Sequence, residues 1–434
     1  MERTDISKAA KKIGQKALLK GWVQKARNQS KVKFIILRDS TGTIQTVATP
    51  ELTKNFEEFG KIPEESAISI QGIIKAEKQA PNGIELQAES FQIISKAAEL
   101  PIPVIEKTGS ETQLPKRLDW RSIDLRKPEN QAIFKIQSAL IEGMQECLIK
   151  ENFQQVFTPC LMGVPSESGA ELFEVKYFEK KAFLRQDPQL HRQLTIAGGI
   201  ERLYDIGPSW RAEQSHTTKH LCEHRTCAVE FAFIESEQDT MRVEEQVIIS
   251  SLKKVNEKCS EELKLLKIEL KIPKAPFPEL RFPEIYGILE SKGKSIRGQD
   301  LDSEAEKLLW EFVQENYDNE FYFFNRFPSK IKPFYVMHVD EEPEFARSVD
   351  LNWKGLELSS GGQREHRYEI LMKQVQESGQ NPKSLEWFTK FFQYGVPTHG
   401  GFAIGIERLT KSLLNLPNIR EAVLFPRDTE RITP

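Results

Sequence analysis

Nowhere in the 434-residue chain do about 18 apolar residues follow one another, so nothing in it reads as a membrane-spanning helix. Cysteine is scarce. The five thiols are Cys147, Cys160, Cys222, Cys227 and Cys259, and their odd number and irregular spacing argue against a disulfide framework. Excess charge is also missing: 61 Lys and Arg against 64 Asp and Glu leave a formal net charge of -3. That excludes a protein that coats polyanions with its whole surface, and any nucleic-acid contact must be a local patch. Internal repeats and low-complexity tracts are absent as well. The opening residues, MERTDISKAAKKIGQK, lack the apolar stretch of a secretory signal, which makes the cytoplasm the expected compartment.

What is present is ordinary for a soluble globular chain: 39% hydrophobic and 29% charged residues, at a length that allows a sizeable core in two or three domains. The first hundred residues alternate apolar and polar side chains in short runs (GWVQKARNQ, VKFIILRDSTGTIQTVA, AISIQGIIKAE, IELQAESFQIIS). Turn signals at Ser40-Thr41-Gly42 and Pro81-Asn82-Gly83 separate them. Five or so strands suggest a small barrel, with the OB-fold one candidate. A proline-bearing stretch from Leu100 to about Pro128 reads as a hinge. Beyond it Ile133, Phe134, Ile136, Leu140, Met144 and Leu148 recur at helical spacing. Strands such as RLYDIGPSW, VEFAFIE and EFYFFNRF then mix with helices, and Thr240 to Leu265 reads as helical and solvated. The expected organisation is α+β: 1–99 an OB-type barrel, 100–129 a hinge, 130–434 a second domain.

Three stretches carry chemistry. The first, RAEQSHTTKHLCEHRTCAVE, places Arg211 and Glu213 on one strand face. A planar guanidinium suits a phosphate, and a carboxylate suits an exocyclic amine. The second, DLNWKGLELSSGGQRE, holds Asp350 and Glu357, two acids able to share Mg²⁺ with phosphate oxygens, and Arg364, able to meet a carboxylate. The third, YGVPTHGGFAIGIERL, has glycines that let backbone approach a ligand and Arg408 at a strand-to-helix junction. Each taken alone also reads as an ordinary solvated strand, a packing loop or two surface acids. His216, His220, Cys222, His224 and Cys227 form a further cluster of zinc-type donors. It lacks the distant second pair that structural zinc sites use.

In this order, the three stretches resemble motif 2, the magnesium-binding strand and motif 3 of class II aminoacyl-tRNA synthetases. More narrowly, the chain is similar to aspartyl-tRNA synthetases of the archaeal and eukaryotic type, over nearly its whole length. The helix from Asn130 and FTPCL, with Pro159, resembles motif 1. GVPSESGAELFEVKYF resembles the loop that closes over aspartate, RQDPQLHRQL the substrate-recognition segment, and LFPRDTERITP the family's chain end. The resemblance implies ATP and Mg²⁺ as cofactors, tRNA and L-aspartate as further substrates, and a homodimer. Arg211 would hold the ATP α-phosphate, Arg408 the γ-phosphate and Glu213 the adenine amino group. His220 and Leu221 would lie beside ATP, and Asp350 and Glu357 would hold ribose or Mg²⁺. Arg364 would pair with the aspartate side chain. Glu167, Asp187, Gln189, Arg192, Ser360 and His399 would complete the amino-acid site. In the barrel, Phe34 would stack on an anticodon base with Arg27, Gln45 and Glu85 around it, although Phe34 also reads as barrel core.

The chain departs from the family where the amino acid binds. QSPQ-x-x-KQ is usual, whereas here Asp187 replaces Ser and Arg192 replaces Lys. Ala228 stands where motif 2 usually has an Asp facing the substrate ammonium, and Ala403 replaces a common Gly. One carboxylate is lost at 228 and one gained at 187, which suggests that Asp187 restores the charge. Residues Asn28 to Lys31 also depart from the family's Gly-containing loop. The expected reaction is adenylation of aspartate followed by transfer to tRNA(Asp), with tRNA(Asn) an open second acceptor. Two alternatives remain: a paralogue that passes activated aspartate, or a relative of it, to another acceptor, and an RNA-binding protein without catalysis.

Overall fold

The computed structural model describes residues 1–106, 109–164, 172–212 and 214–434. Glu167 and Glu213 lie outside the described residues. The chain divides into two compact units, Met1–Pro103 and Val104–Pro434.

Five strands build the first unit: β1 Lys16–Asn28, β2 Lys33–Asp39, β3 Gly42–Ala48, β4 Ala67–Ala76 and β5 Ile84–Ser95. They close into a barrel in the order β1-β2-β3-β5-β4. Alternation in the sequence becomes inside and outside. Leu19, Ile35, Leu37, Ile44, Ile68, Ile70, Ile74 and Leu86 point inward and are almost completely buried, each contributing about 1.5–3 kcal/mol of burial. The tight β2–β3 turn is held by Asp39, whose Oδ1 accepts from the Thr41 amide at 2.7 Å. This is the OB-type barrel that the strand pattern suggested.

The second unit is built on an eight-stranded sheet. Its strands are β6 Gln154–Gln155, β10 Arg202–Trp210, β11 Glu223–Ala232, β12 Glu279–Arg281, β13 Phe321–Asn325, β14 Ser348–Trp353, β15 Leu356–Arg364 and β16 His399–Gly405. The order is β12-β13-β14-β15-β16-β11-β10-β6, antiparallel except at the two outermost pairs. A small sheet of β7 Leu161–Met162, β8 Glu174–Tyr177 and β9 Lys180–Leu184 sits apart, ordered β7-β9-β8.

The helices Pro128–Lys150 and Glu237–Lys258 share one hydrophobic core with β11, β14 and β16. The second of these corrects the solvated reading of Thr240 to Leu265. Met241, Val247, Ile248, Leu252 and Val255 are buried, and Ser251 lies so close to the partner helix that a Cβ on Gly143 would come 2.6 Å from its Cα. The abundant Glu and Lys of this segment lower its mean hydropathy, but they leave a continuous apolar stripe at helical spacing. The stretch 100–129, read as a hinge from its prolines, carries helices Leu114–Asp119 and Arg121–Asp124. Buried Arg121 donates to the Glu421, Val423 and Leu424 carbonyls and to Asp124. Composition cannot reveal such a tie.

Candidate active site

On the sheet of the second unit, β10, β11, β14, β15 and β16 and the helix Gln189–Ala197 surround a cavity of about 560 Å³. Its lining mixes cations, carboxylates and carboxamides.

Arg364, the last residue of β15, lines it. Its Nε donates to Glu230 Oε1 at 3.0 Å, and Nη2 donates to Gly401 O at 3.0 Å and Gln189 Oε1 at 3.3 Å. The guanidinium is thereby fixed, while Nη1 has no partner among the described residues and the side chain lines the cavity. Glu230, fully buried on β11, also accepts from Gln189 Nε2 at 2.9 Å. The closeness depends on glycine at 401, where a Cβ would lie 1.9 Å from the Val229 carbonyl and 2.6 Å from the Glu230 carboxylate.

Asp187 also faces the cavity. It accepts a two-pronged bond from Arg192, Nη1 to Oδ1 at 2.9 Å and Nη2 to Oδ2 at 2.6 Å. Burial pushes this carboxyl up, but Arg192, with Arg364 and Arg211 beyond, outweighs burial and holds it below the usual range. Arg192 itself is buried behind Asp187 and Gln189 rather than on the cavity wall. Ala228 leaves no carboxylate on β11 at its level, and its cross-strand neighbour Asp205 is engaged by Thr158 and Arg185. His399, expected at the site's edge, is fully buried behind Gln193. Its Nδ1 lies 2.8 Å from the Pro397 carbonyl, which can only accept, so Nδ1 carries the proton and Nε2 accepts from Gln193. Burial pulls the ring to about 4, so it is neutral at ordinary pH.

The cavity is also lined by Arg211, Arg408, Asp350, Glu357 and Ser360. Arg408 Nη1 holds Glu357 Oε1 at 2.9 Å, and Lys332 Nζ holds Asp350 Oδ2 at 2.9 Å. Buried Asp350 is pushed up by desolvation and by Glu357, with Lys332 opposing. Its Oδ1 is buried and has no hydrogen-bond partner among the described residues. Two carboxylates beside Arg211 and Arg408, one with an orphaned oxygen, are a donor set that fits Mg²⁺ shared with phosphate oxygens. His220 approaches Thr217 at 2.6 Å, and Leu221 packs on Ile419 and Val423.

Three residues here escaped the sequence reading as site residues. Lys332 and Glu230 were passed over, and His224 was noticed only as a zinc-type donor. His224 lines the cavity, and burial together with Arg211 and Arg408 pulls its imidazole down to about 3. A neutral flat ring between two guanidinium groups carries no motif of its own.

On the barrel, the outward face of β1, β2 and β3 brings the sequence candidates together. Phe34 pairs with Arg27 on one side and Val47 on the other. It is half-buried and belongs to the outer face, out of register with inward Ile35 and Leu37. Gln45 Nε2 donates to Glu85 Oε2 at 3.1 Å.

Comparison with known proteins agrees with this geometry. The family model described as tRNA synthetases class II (D, K and N) matches residues 113–429, and an OB-fold nucleic acid binding domain matches residues 17–94. The chain is 42% identical over 426 residues to an aspartate–tRNA(Asp) ligase of Pyrococcus furiosus, covering 97% of each chain. It is 39% identical to an aspartate–tRNA(Asp/Asn) ligase of Methanopyrus kandleri, covering 97% of this chain and 96% of that one. Among solved structures, an asparaginyl-tRNA synthetase from Pyrococcus horikoshii complexed with asparaginyl-adenylate superposes with a TM-score of 0.93 at 32% identity, over 100% of both chains. With residues 113–429 matched by the synthetase model, residues 17–94 by the OB-fold model, and relatives about 40% identical over nearly the whole length, the chain belongs to the class II tRNA synthetases of the D, K and N group.

Proposed function

We propose that this protein is an aspartate–tRNA ligase, which activates L-aspartate with ATP and esterifies it to the 3′ end of tRNA(Asp). The observation that carries the reading is Arg364. A guanidinium held on three sides by Glu230, Gln189 and Gly401, with Nη1 turned to the cavity, fits a carboxylate side chain. An amide in its place would turn an N–H or a weaker, neutral acceptor toward Nη1, where a carboxylate offers a charged acceptor oxygen.

The aspartate α-carboxylate oxygen attacks the α-phosphorus of ATP, the bond to the bridging oxygen breaks, and pyrophosphate leaves. The terminal tRNA hydroxyl then attacks the adenylate carbonyl, and AMP leaves. Arg211 meets the α-phosphate and Arg408 the γ-phosphate, with Asp350 and Glu357 assigned to ribose or Mg²⁺. Glu213 is assigned to the adenine amino group, and His220 and Leu221 flank the nucleotide. Mg²⁺, where bound by Asp350 and Glu357, neutralises phosphate charge. The remaining work is positioning and charge complementarity rather than proton transfer. Glu167, Asp187, Gln189, Arg192, Ser360 and His399 complete the amino-acid site. The barrel, 1–99, reads the anticodon with Arg27, Phe34, Gln45 and Glu85, and 100–129 connects it to the catalytic domain, 130–434. A homodimer formed through the Pro159 segment is supported by Phe157, 84% exposed beside it. Among the described residues no helix is long and apolar enough to cross a membrane, and the cytoplasm is the proposed site of action.

Aminoacylation with labelled aspartate tests this: the reading requires ester formation on tRNA(Asp), and its absence on that acceptor rejects it. The same assay with tRNA(Asn) decides the second acceptor, since the similar proteins include both tRNA(Asp) and tRNA(Asp/Asn) ligases.

A further inference from the structure

The amino-acid site is layered. In front, on the wall, stand Asp187 and Arg364, one charge of each sign. Behind each lies a buried counterion, Arg192 for Asp187 and Glu230 for Arg364. The Gln189 carboxamide joins the two rear groups, accepting from Arg192 Nη2 at 2.7 Å and donating to Glu230 Oε2 at 2.9 Å. Both terminal nitrogens of Arg192 are therefore engaged, and its side chain is only 1% exposed against 18% for Asp187.

We propose that Arg192 is a positioning residue rather than a substrate ligand: it locks Asp187 as the acceptor for the substrate ammonium, so that Arg364 reads the side-chain carboxylate. The inference rests on the aspartate-activating reading and deepens it. Its physical basis is the joint change at three positions. With Ala228 on β11, a carboxylate for the ammonium has to come from elsewhere. The loop position 187 supplies it, but a carboxylate on the cavity wall must be held both charged and fixed. A guanidinium does both, because its planar fork matches a carboxylate edge to edge. A lysine at 192 would offer one point charge and no fork. For Arg192 to turn to the substrate instead, it would have to abandon Asp187 and Gln189 and leave Asp187 without its fork partner.

The test uses the full-length enzyme in ATP–pyrophosphate exchange, with succinate as a competitive inhibitor. Succinate carries the side-chain and α-type carboxylates of aspartate but no ammonium. For Asp187→Asn the KM for aspartate rises by about tenfold or more, while the succinate Ki and the ATP KM stay within about twofold. Arg192→Gln gives the same split, because Asp187 loses its support. The double variant is no worse than Asp187→Asn, since the two residues act as one unit. Arg192→Lys, which keeps the charge and loses the fork, gives an intermediate aspartate KM and an unchanged succinate Ki. The unchanged succinate Ki and ATP KM show in the same assay that each variant is folded. The proposal is overturned if Arg192→Gln or Arg192→Lys raises the succinate Ki in step with the aspartate KM, which would put Arg192 on the side-chain carboxylate. It is also overturned if Asp187→Asn leaves the aspartate KM within about twofold. Failure of the unaltered enzyme to exchange with aspartate at all would reject the aspartate reading itself, a separate and earlier result.

Discussion

Arg364 shows how partners fix the direction of one side chain. Its Nε and Nη2 are committed to Glu230, Gln189 and Gly401, so the direction in which Nη1 points is set before any ligand arrives. Replacing it with Gln leaves Glu230 buried without its cation, and truncating one partner of such a pair costs about 2–5 kcal/mol. We expect kcat/KM for aspartate to fall by the corresponding factor, roughly 30- to 5,000-fold, while the KM for ATP stays put. An equal loss in both constants would mean that Arg364 holds up the site as a whole. His224 behaves differently. Burial and the flanking guanidinium groups hold its ring near 3, so it is uncharged throughout the assay range, and only its flat surface is available to a ligand. His224→Phe should then keep the ATP KM within about threefold, and the pH profile of the two proteins should coincide between pH 5.5 and 8. A profile that loses an inflection in the variant would show that the imidazole titrates in that range. None of this was visible in the sequence. Asp187 and Arg192 stand five positions apart across a loop and a helix start, and Glu230 meets Arg364 from 134 residues away. Residue types at a motif position cannot say which of two arginines faces the ligand and which faces another side chain.

Strands and helices were more readable than partners, and the reason is periodicity. RLYDIGPSW reads as a strand and forms β10 over those nine residues. The six β2 and β3 positions Ile35, Leu37, Ile44, Thr46, Phe34 and Val47 fall on the faces that alternation assigns them. Failure came where charge masked a stripe, as in Glu237–Lys258. That helix carries Glu244, which burial, with Asp350 adding to it, pushes up to about 8 while its bond to Ser359 opposes the rise. Its folded-state value lies above its unfolded one, so the folded protein holds a proton there that the unfolded chain releases. Its stabilising contribution is complete below about pH 4.5 and is lost as the pH climbs toward 8. Glu244→Gln should therefore flatten this part of the stability curve and unfold at a higher denaturant concentration than the parent at pH 8, by more than about 1 kcal/mol. Parallel curves for the two proteins across pH 5 to 8 would refute a protonated Glu244. Between β16 and β11, space rather than charge decides. Gly401→Ala would set a methyl 1.9 Å from the Val229 carbonyl. Strand separation there displaces Glu230 and with it Arg364, so the variant should lose both thermal stability and aspartate exchange. A variant with parental stability and exchange would show that the contact relaxes without cost.

At the scale of the whole molecule the two units, Met1–Pro103 and Val104–Pro434, are assigned separable duties. The barrel presents Arg27, Phe34 and Val47 side by side on its outer face, with Gln45 and Glu85 bonded to each other nearby. The second unit holds every group assigned to ATP and aspartate. Phe34→Ala should raise the KM for tRNA by the worth of one stacked base, about 1–3 kcal/mol, and leave tRNA-independent exchange unchanged. A loss of exchange in that variant would contradict the division of labour. The overall architecture was legible because it is written redundantly, in barrel alternation, in three motifs and in their order. The amino-acid pocket was only partly legible: the carboxylate lost at 228 and gained at 187 could be read from residue types, but that Arg192 grips Asp187 shows only once the side chains are placed. The most direct test of the central claim is ATP–pyrophosphate exchange measured over all twenty amino acids, with and without tRNA. The account predicts exchange with L-aspartate, and kcat/KM for asparagine lower by at least about 100-fold. Comparable exchange with asparagine or another amino acid, or none with aspartate even when tRNA is present, would contradict it.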